Sequence, residues 1–261
     1  MLKVELIAHT PEPEKVVAAA AKLCYSDAHI DTLLEGLTPE KTTNFLNMLT
    51  DLGHASPTEH ASFTFGIEGV SRTLLAQITR HRIASFSVQS QRYVRLEDFR
   101  YVIPPEIEAD AAAKQQFIDT MNEDARRYLE LVKTLEERHT RELMAEGLTE
   151  KAARSKASKK ANEDARFVLP NACETKMILT MNARSLQNFF ALRGCSRAQW
   201  EIRACAQEML RLVYPIAPTL FAKSGPACLR GACPEGRMSC GRADEVRKQY
   251  EALRREAANE G

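Results

Sequence analysis

The chain has 261 residues, is 44% hydrophobic and carries a formal net charge of +1 at pH 7. That length fits one large domain or two small ones with a real core, and the balanced charge gives no global signal for nucleic acid or membrane. No run of about 18 apolar residues exists, and the early charges argue against a signal peptide, so we expect a cytoplasmic chain without a membrane span. Seven cysteines, an odd number, argue against a disulfide framework.

The first hundred residues alternate between strand and helix patterns. Phe63, Phe65 and Ile67 recur at every second position, as in a strand with one buried face. Thr38 and Gly53 are typical of the start and stop of a helix. In order, the predicted elements are a strand at Lys3–Ala8, a helix at about Glu12–Leu23, a helix at Pro39–Asp51, a strand over 61–70, a helix from Arg72 to about His81, and strands at Val88–Val94 and Arg100–Ile103.

The second half is mainly helical. Residues 109–147 are periodic and heavily charged, which predicts a solvated helix pair or excursion. The basic run RSKASKK that follows lacks interleaved aromatic residues, so it does not favour nucleic-acid binding. The predicted elements are a helix at Thr149–Val168, a strand over 173–183, helices at Arg184–Arg193, Arg197–Tyr214 and Pro218–Lys223, and a charged helix from Ala243.

This order of elements predicts an α+β fold with a mixed sheet and packed helices. The chain has no G-x-G-x-x-G, no P-loop and no H-E-x-x-H, which argues against a doubly wound dinucleotide fold. We expect residues 1–225 to form a single α+β catalytic domain with a helical excursion at about 109–168. Residues 226–261 are expected to form a cysteine-containing loop and a charged C-terminal helix.

The stretch RHRIASFSVQSQRY, residues 80–93, concentrates hydrogen-bond donors. On a continuous helix Gln77, Arg80 and His81 would share one face, and Ser90 and Arg92 would share one face of an extended segment. Arginine forks match phosphate geometry, and hydroxyls and amides complete such sites. The alternative is a basic surface turn that makes ordinary salt bridges.

The stretch NARSLQNFFALR places a charge on an apolar stripe. Leu186, Phe189 and Phe190 share a helical face, and Arg193 continues it. A guanidinium there is costly unless it meets an acid or an anionic ligand. A buried salt bridge and an anion site both remain open for Arg193.

Two groups of residues raise the question of metal binding. His54, Glu59 and His60 match no standard zinc spacing, so we expect no metal there. Cys228, Cys233 and Cys240 are separated by four and six residues, wider than usual zinc pairs. Reduced thiols without metal are favoured, while zinc with a fourth ligand from elsewhere and a disulfide remain alternatives.

The motifs together resemble one known family. R-H-R followed by seven residues and a serine, from Arg80 to Ser90, resembles the signature of flavin-dependent thymidylate synthases. SQRY, GH…EH, ARFVLP and NARSLQNFFALR…AQWEIR also resemble segments of that family, in the same order, from about Val16 to Phe221. The resemblance implies a thymidylate synthase-complementing type of fold and a homotetramer with shared active sites. It also implies reductive methylation of dUMP to dTMP, with methylenetetrahydrofolate as carbon donor and NADPH-reduced FAD as hydride source.

The resemblance also assigns residues to ligands. It gives Arg193 a catalytic role, stabilising negative charge that develops on the uracil. Ser90 occupies the family's serine position, but its segment offers no base, so we expect a substrate contact rather than a nucleophile. The implied FAD residues are His54, Arg80, His81, Arg82, Asn182, Arg184 and Asn188. The implied dUMP residues are Gln77, Gln89, Ser90, Gln91, Arg92, Arg166 and Arg193.

Two departures and two competing functions accompany this interpretation. Val88 stands where many relatives carry glutamine or glutamate, and Arg197 stands where some carry histidine. A nucleotide- or RNA-binding module without chemistry would use the same basic groups. A metal-stabilised scaffold would be built around the C-terminal cysteines. Flavin colour, salt-dependent RNA binding and sensitivity to chelators separate these three hypotheses.

Overall fold

The computed structural model describes residues 2–93 and 100–260. Within them, one sheet has the strand order β1-β2-β4-β3. Thr10 follows the end of β1, and its amide donates to the carbonyl of Ser62 at the start of β2. Ala183 follows the end of β4, and its amide donates to the carbonyl of Ala61, just before β2. Because the end of each strand meets the start of β2, the sheet is antiparallel. The strands are β1 (Lys3–His9), β2 (Ser62–Ser71), β3 (Ala84–Val88) and β4 (Glu174–Asn182).

The helices follow the predicted order closely. Thr38 caps its helix, with its hydroxyl accepting from the Lys41 amide at 3.3 Å. The α-helices are α1 (Pro13–Leu23), α2 (Ile30–Glu35), α3 (Pro39–Asp51), α4 (Arg72–Ile78), α5 (Pro105–Glu108), α6 (Ala111–Ala145), α7 (Glu150–Ala165), α8 (Ala183–Arg193), α9 (Trp200–Val213), α10 (Pro218–Phe221) and α11 (Ala243–Glu260).

The chain forms two compact units. We call Glu68–Leu75 with Val88–Lys176 the helical unit, and Leu2–Ile67 with Ala76–Ser87 and Met177–Gly261 the sheet unit. The predicted catalytic domain of residues 1–225, separate from 226–261, stays a prediction. No helix in the described part of the chain is both long and apolar enough to cross a bilayer.

Aromatic side chains form the centre of the sheet unit. Phe63, from the predicted alternating strand, meets Phe221 with ring centroids 5.4 Å apart, and Phe221 meets Phe190 at 5.9 Å. Phe189 and Phe190 are fully buried on α8, as the predicted stripe requires. The core therefore fixes the orientation of α8, the helix that ends in Arg193.

The helical unit is built on the pairing of α6 with α7. Tyr128 and Val132 of α6 pack against Ala161 and Ala165 of α7, and all four are buried. Alanines spaced by four residues on α7 let the two helix backbones approach closely. The charged region predicted over 109–147 as a helix pair or excursion is the single long helix α6, and the helix predicted at Thr149–Val168 is α7.

Three sequence predictions were wrong in this fold. Helix α4 ends at Ile78, three residues early, and the strand predicted at Val88–Val94 lies instead at β3, Ala84–Val88. The extended segment begins at Ala84, earlier than predicted. Beyond it, the amide of Arg92 donates to the Ser90 hydroxyl at 3.2 Å, a local contact that favours a turn over a strand. Val94 lies outside the described residues. The strand predicted at Arg100–Ile103 is reduced to one bridge, Tyr101 to Cys173, and α2 was not predicted.

Candidate active site

The N-terminal part of α8 holds two of the residues expected to bind cofactor. Asn182 caps the helix, because its side-chain oxygen accepts from the Ser185 amide at 2.8 Å. Arg184, two residues on, forms an ion pair with Glu59 from the 3₁₀ turn Ser56–His60. Asn188 is exposed further along α8. The helix thus connects the Asn182 end of the site to the segment that follows His54.

His54 lines a cavity in the same unit. The cavity has a volume of about 560 Å³ and is also lined by Thr58 and by Gln187 of α8. Lys223, on the same wall, pairs with Asp51 at 2.8 Å. The predicted residues His54, Asn182, Arg184 and Asn188 are therefore arranged along or beside one helix.

The C-terminal end of α8 carries a polar contact between two of the predicted site residues. Arg193 donates from Nε to Nε2 of His81 at 2.9 Å. His81 is only 9% exposed and meets the edge of Phe189, with ring centroids 4.9 Å apart. Burial, and then the charge of Arg193, lowers the pKa of His81. The imidazole is therefore neutral near pH 7, with its proton on Nδ1 and Nε2 free to accept.

The contact with His81 shows how Arg193 is accommodated on the apolar face of α8. Arg193 is half-buried, and among the described residues it forms no ion pair, so the buried salt bridge is not what holds it. Its only described partner is a neutral ring. The guanidinium keeps its full charge, and its two terminal nitrogens remain available to an anion or a polarised oxygen.

The R-H-R segment leaves two cations at the surface. Arg80 and Arg82 are exposed and form no ion pair within the described residues. The next residue, Ile83, is 73% exposed and has φ 60°, a left-handed conformation that costs a β-branched residue about 1–3 kcal/mol. Such strain is concentrated at functional sites.

The predicted helical face of this segment does not exist. Because α4 ends at Ile78, Arg80 and His81 lie in the turn beyond it and do not share a helix face with Gln77. His81 points inward instead, and Gln77 is half-buried. In this turn the side chain of His81 is buried, while those of its neighbours Arg80 and Arg82 are exposed.

The helical unit holds a second group of predicted residues. Arg92 forms an ion pair with Glu163 at 2.8 Å, and its guanidinium lies 5.6 Å from the centroid of the Tyr93 ring. Ser90 accepts from the Arg92 amide. Gln89 donates its amide to the Lys176 carbonyl at 3.0 Å, which anchors the segment that continues to the half-buried Gln91.

Arg166 lies beside an arginine that sequence reasoning missed. Its Nε donates to the Glu163 carbonyl at 3.1 Å. Burial lowers the pKa of Arg72, the interaction with Cys173 opposes that shift, and the charge of Arg166 adds a smaller lowering. Two guanidinium groups that repel each other favour the binding of an anion. The only sequence signal for Arg72 was its position at the first residue of a capped helix.

Comparison with known proteins agrees with the motifs. Residues 5–219 match the family model described as thymidylate synthase complementing protein. The chain belongs to the thymidylate synthase complementing protein family. It is 55% identical over 249 residues to a flavin-dependent thymidylate synthase of Clostridium tetani, covering 95% of this chain and 97% of the relative. It is 49% identical over 254 residues to that of Geobacter sulfurreducens, covering 97% and 99%.

More distant members of the family match over most of their length too. The flavin-dependent thymidylate synthase of Pyrococcus horikoshii is 39% identical over 244 residues, covering 90% of each chain. Family membership confirms the α+β fold of the thymidylate synthase-complementing type. The matched range includes every residue that the resemblance assigned to FAD or dUMP, from His54 to Arg193. Cys228, Cys233 and Cys240 lie beyond it.

Proposed function

We propose that this chain is a flavin-dependent thymidylate synthase. It converts dUMP to dTMP by reductive methylation, with methylenetetrahydrofolate as carbon donor and NADPH as the source of reducing equivalents for FAD. The structural observation that carries the proposal is Arg193, a fully charged guanidinium held on an apolar helix face by the neutral ring of His81. This arrangement suits charge that develops on a bound pyrimidine.

The residues of the sheet unit fit FAD by their chemistry. A dinucleotide pyrophosphate requires cations and amide donors, and Arg80, Arg82 and Arg184 are exposed while Asn182 and Asn188 supply amides. His54, on the wall of the cavity, and His81 complete the proposed set. When bound, FAD supplies the hydride chemistry, and the protein supplies orientation and electrostatics.

The residues of the helical unit are proposed to hold the nucleotide phosphate. Arg92 and Arg166 supply guanidinium forks, and Ser90 supplies a hydroxyl. We add Arg72 to this set, because its charge and that of Arg166 repel each other and a bound anion would offset that repulsion. The other proposed nucleotide contacts are Gln77, Gln89 and Gln91.

Arg193 is the proposed catalytic residue. Its Nε is occupied by His81, which fixes the plane of the guanidinium before substrate arrives. The terminal nitrogens then donate to a uracil oxygen as negative charge grows on the ring. A donor that is already oriented pays no reorganisation cost at that moment.

Ser90 is proposed as a substrate contact and not as a nucleophile. Within the described residues its hydroxyl accepts from the Arg92 amide, and no base accepts its proton. A serine without such a base is a weak nucleophile. Mass spectrometry of enzyme quenched during turnover should therefore detect no covalent Ser90–nucleotide adduct.

We further propose that the chain assembles as a homotetramer with shared active sites and acts in the cytoplasm. Phe167, next to Arg166, is 82% exposed, and Tyr93, next to Arg92, is 63% exposed. Large apolar side chains exposed beside proposed ligand residues favour a surface that another copy or a ligand covers. All seven cysteines are free thiols, which fits a reducing compartment.

The visible spectrum of the purified protein tests the proposal. We expect flavin bands that bleach with NADPH under nitrogen, faster with dUMP present, and dTMP formation once methylenetetrahydrofolate is added. The Arg193→Gln variant should keep the flavin bands and lose dTMP formation. A colourless protein that takes up no FAD and oxidises no NADPH would contradict the proposal, and salt-dependent RNA binding without flavin would favour a binding module instead.

A further inference from the structure

Four of the seven cysteines line one cavity of the sheet unit. Cys228, Cys233 and Cys240 surround a space of about 360 Å³. The fourth thiol on its wall is Cys195, which is more than thirty residues away in sequence and only two beyond Arg193. The sequence alone offered three thiols and no fourth ligand, and the fold brings the fourth to them.

The four thiols are close enough to affect one another. Cys195, Cys233 and Cys240 each lie near enough to Cys228 to interact with it electrostatically. Cys240 also accepts hydrogen bonds from the Arg242 backbone and from the Ser196 side chain. Donors to a cysteine sulfur orient a thiolate and stabilise it as a metal ligand.

The segments that carry the thiols are fastened to α11. Arg247 donates from Nε to the Cys228 carbonyl at 3.0 Å and from Nη2 to the Gly231 carbonyl at 3.0 Å. Tyr250 donates to the Gly194 carbonyl at 3.1 Å. A Cβ on Gly194 would lie 2.3 Å from the Tyr250 hydroxyl, so only glycine permits this approach. One helix thus holds the segment of Cys195 and the loop of Cys228 together.

We propose that Cys195, Cys228, Cys233 and Cys240 form a thiolate site for one divalent transition-metal ion such as Zn²⁺. Four cysteines are a usual ligand set for structural zinc, with tetrahedral geometry and Zn–S distances of about 2.3 Å. Each thiol that binds releases its proton to solvent, so binding is favoured by rising pH. The ligands and the ion need no redox step.

Metal binding must draw the sulfur atoms together. Among the described residues no group of three or more cysteine, histidine or acidic side chains is already arranged to hold a metal ion. The loop has the freedom to close, because Gly231, Gly236 and Gly241 adopt positive φ between the cysteines and just after them. The bound ion would then connect α11 and its loop to the segment that follows α8.

Metal analysis with two serine variants tests the site. The protein is expressed with added ZnSO₄, purified without chelator, and its zinc and iron contents are measured per chain. We expect about one metal ion per chain, lost from Cys195→Ser and from Cys240→Ser. Cys24→Ser is the matched control, because Cys24 is an exposed thiol far from the cavity in sequence and absent from its wall, and it should keep the metal.

Alkylation of the native wild-type protein gives a second measurement that does not depend on the folding of a variant. Metal-stripped protein is treated with iodoacetamide with or without ZnSO₄, and the labelled cysteines are mapped by mass spectrometry. We expect Zn²⁺ to protect the four cavity cysteines and to leave Cys24 labelled in both samples. Iron bound in place of zinc and lost from the same variants would support the same site.

Three outcomes would overturn the site. One is wild-type protein without bound metal that also shows no protection by added Zn²⁺. Another is metal retained by both serine variants. The third is disulfide bonds among the four cysteines of protein purified under reducing conditions. None of these results depends on thymidylate synthesis, so the metal site and the proposed activity stand or fall separately.

Discussion

Two arginines that we propose to bind dUMP are held in opposite ways. Arg193, in the sheet unit, is half-buried and donates to the neutral ring of His81. Arg92, in the helical unit, is exposed and pairs with the carboxylate of Glu163 at 2.8 Å. A guanidinium on a neutral acceptor keeps its net charge for a ligand, whereas one on a carboxylate is neutralised until a ligand competes for it.

The difference suits the two kinds of charge that dUMP presents. A phosphate dianion is present before binding, so the cation that meets it can stay screened in the free protein. Charge on the uracil appears only during the reaction, and it needs a donor fixed in advance. The substitutions below test this division, from the largest expected effect to the smallest.

Replacing the buried guanidinium should have the largest effect. For Arg193→Gln we expect kcat to fall by about 10²–10³-fold, as when one oriented donor to a transition-state oxygen is lost. Flavin content should stay near one per chain. Single-turnover dTMP formation in Arg193→Gln and wild type measures the change.

The control for this substitution is Arg211→Gln on α9, where the arginine pairs with Glu208 in the same unit at 3.1 Å. It should change kcat less than about twofold, because such helix-surface pairs contribute little. Equal losses in the two variants would mean that general loss of positive charge, rather than the position of Arg193, is responsible.

Removing a cation that we propose to bind the phosphate should act on binding instead. For Arg166→Gln we expect the Kd of dUMP to rise by about 10- to 100-fold, since hydrogen bonds to charged groups contribute about 1.5–3 kcal/mol. The kcat at saturating dUMP should change much less. Calorimetric titration of the oxidised enzyme with dUMP measures the Kd.

The matched control is Arg154→Gln on α7, the helix that ends just before Arg166, where the arginine forms a surface pair with Glu150 at 2.8 Å. Its dUMP affinity should equal that of the wild type. If Arg166→Gln lowers kcat and leaves Kd unchanged, then the division between a binding arginine and a catalytic arginine is wrong.

The sequence predicted the parts of the site that depend on periodicity. The apolar stripe of α8 and the alternation of β2 follow from burial, which leaves a repeating pattern in the residues. Arg193 stood out because it broke that pattern. A charge in the wrong place on a helix face is visible without any structure.

The parts that the sequence did not predict depend on contacts between distant segments. The partner of Arg193 is His81, 112 residues earlier, and sequence reasoning placed His81 on a helix that ends at Ile78. The turn after Ile78 could not be predicted, because its left-handed residue is Ile83, and isoleucine is not a residue typical of turns. Arg72 was missed for the same reason, since only the fold brings it near Arg166.

The neutral state of His81 gives a dependence of stability on pH. Its pKa is lowered in the folded protein by burial and by Arg193, so the unfolded chain takes up a proton first as pH falls. The free energy of unfolding should therefore fall as pH drops from the ordinary histidine value of about 6.5 towards the lower folded value. Above that window this contribution is fully present.

Urea denaturation between pH 5 and 8 measures this dependence in wild type and His81→Gln. The variant should lose the part of the pH slope that belongs to His81. Arg193→Gln should raise the pKa of His81, measured from its ring proton resonances. Identical pH slopes in wild type and His81→Gln would show that the ring is not held neutral by the fold.

The smallest effect on dUMP binding is expected from removing Glu163, the ion-pair partner of Arg92. Glu163→Gln removes the carboxylate that competes with phosphate for Arg92, and an exposed pair of this kind contributes about 0.2–1 kcal/mol. The Kd of dUMP should therefore fall by about 1.5- to 5-fold, with most of the gain lost in 0.5 M NaCl. Glu150→Gln on the same helix breaks the pair with Arg154 instead and should leave the Kd unchanged. Weaker dUMP binding in Glu163→Gln would mean that the carboxylate orients Arg92 for the phosphate instead of competing with it, and the two arginines would then both be prepared in advance by their partners.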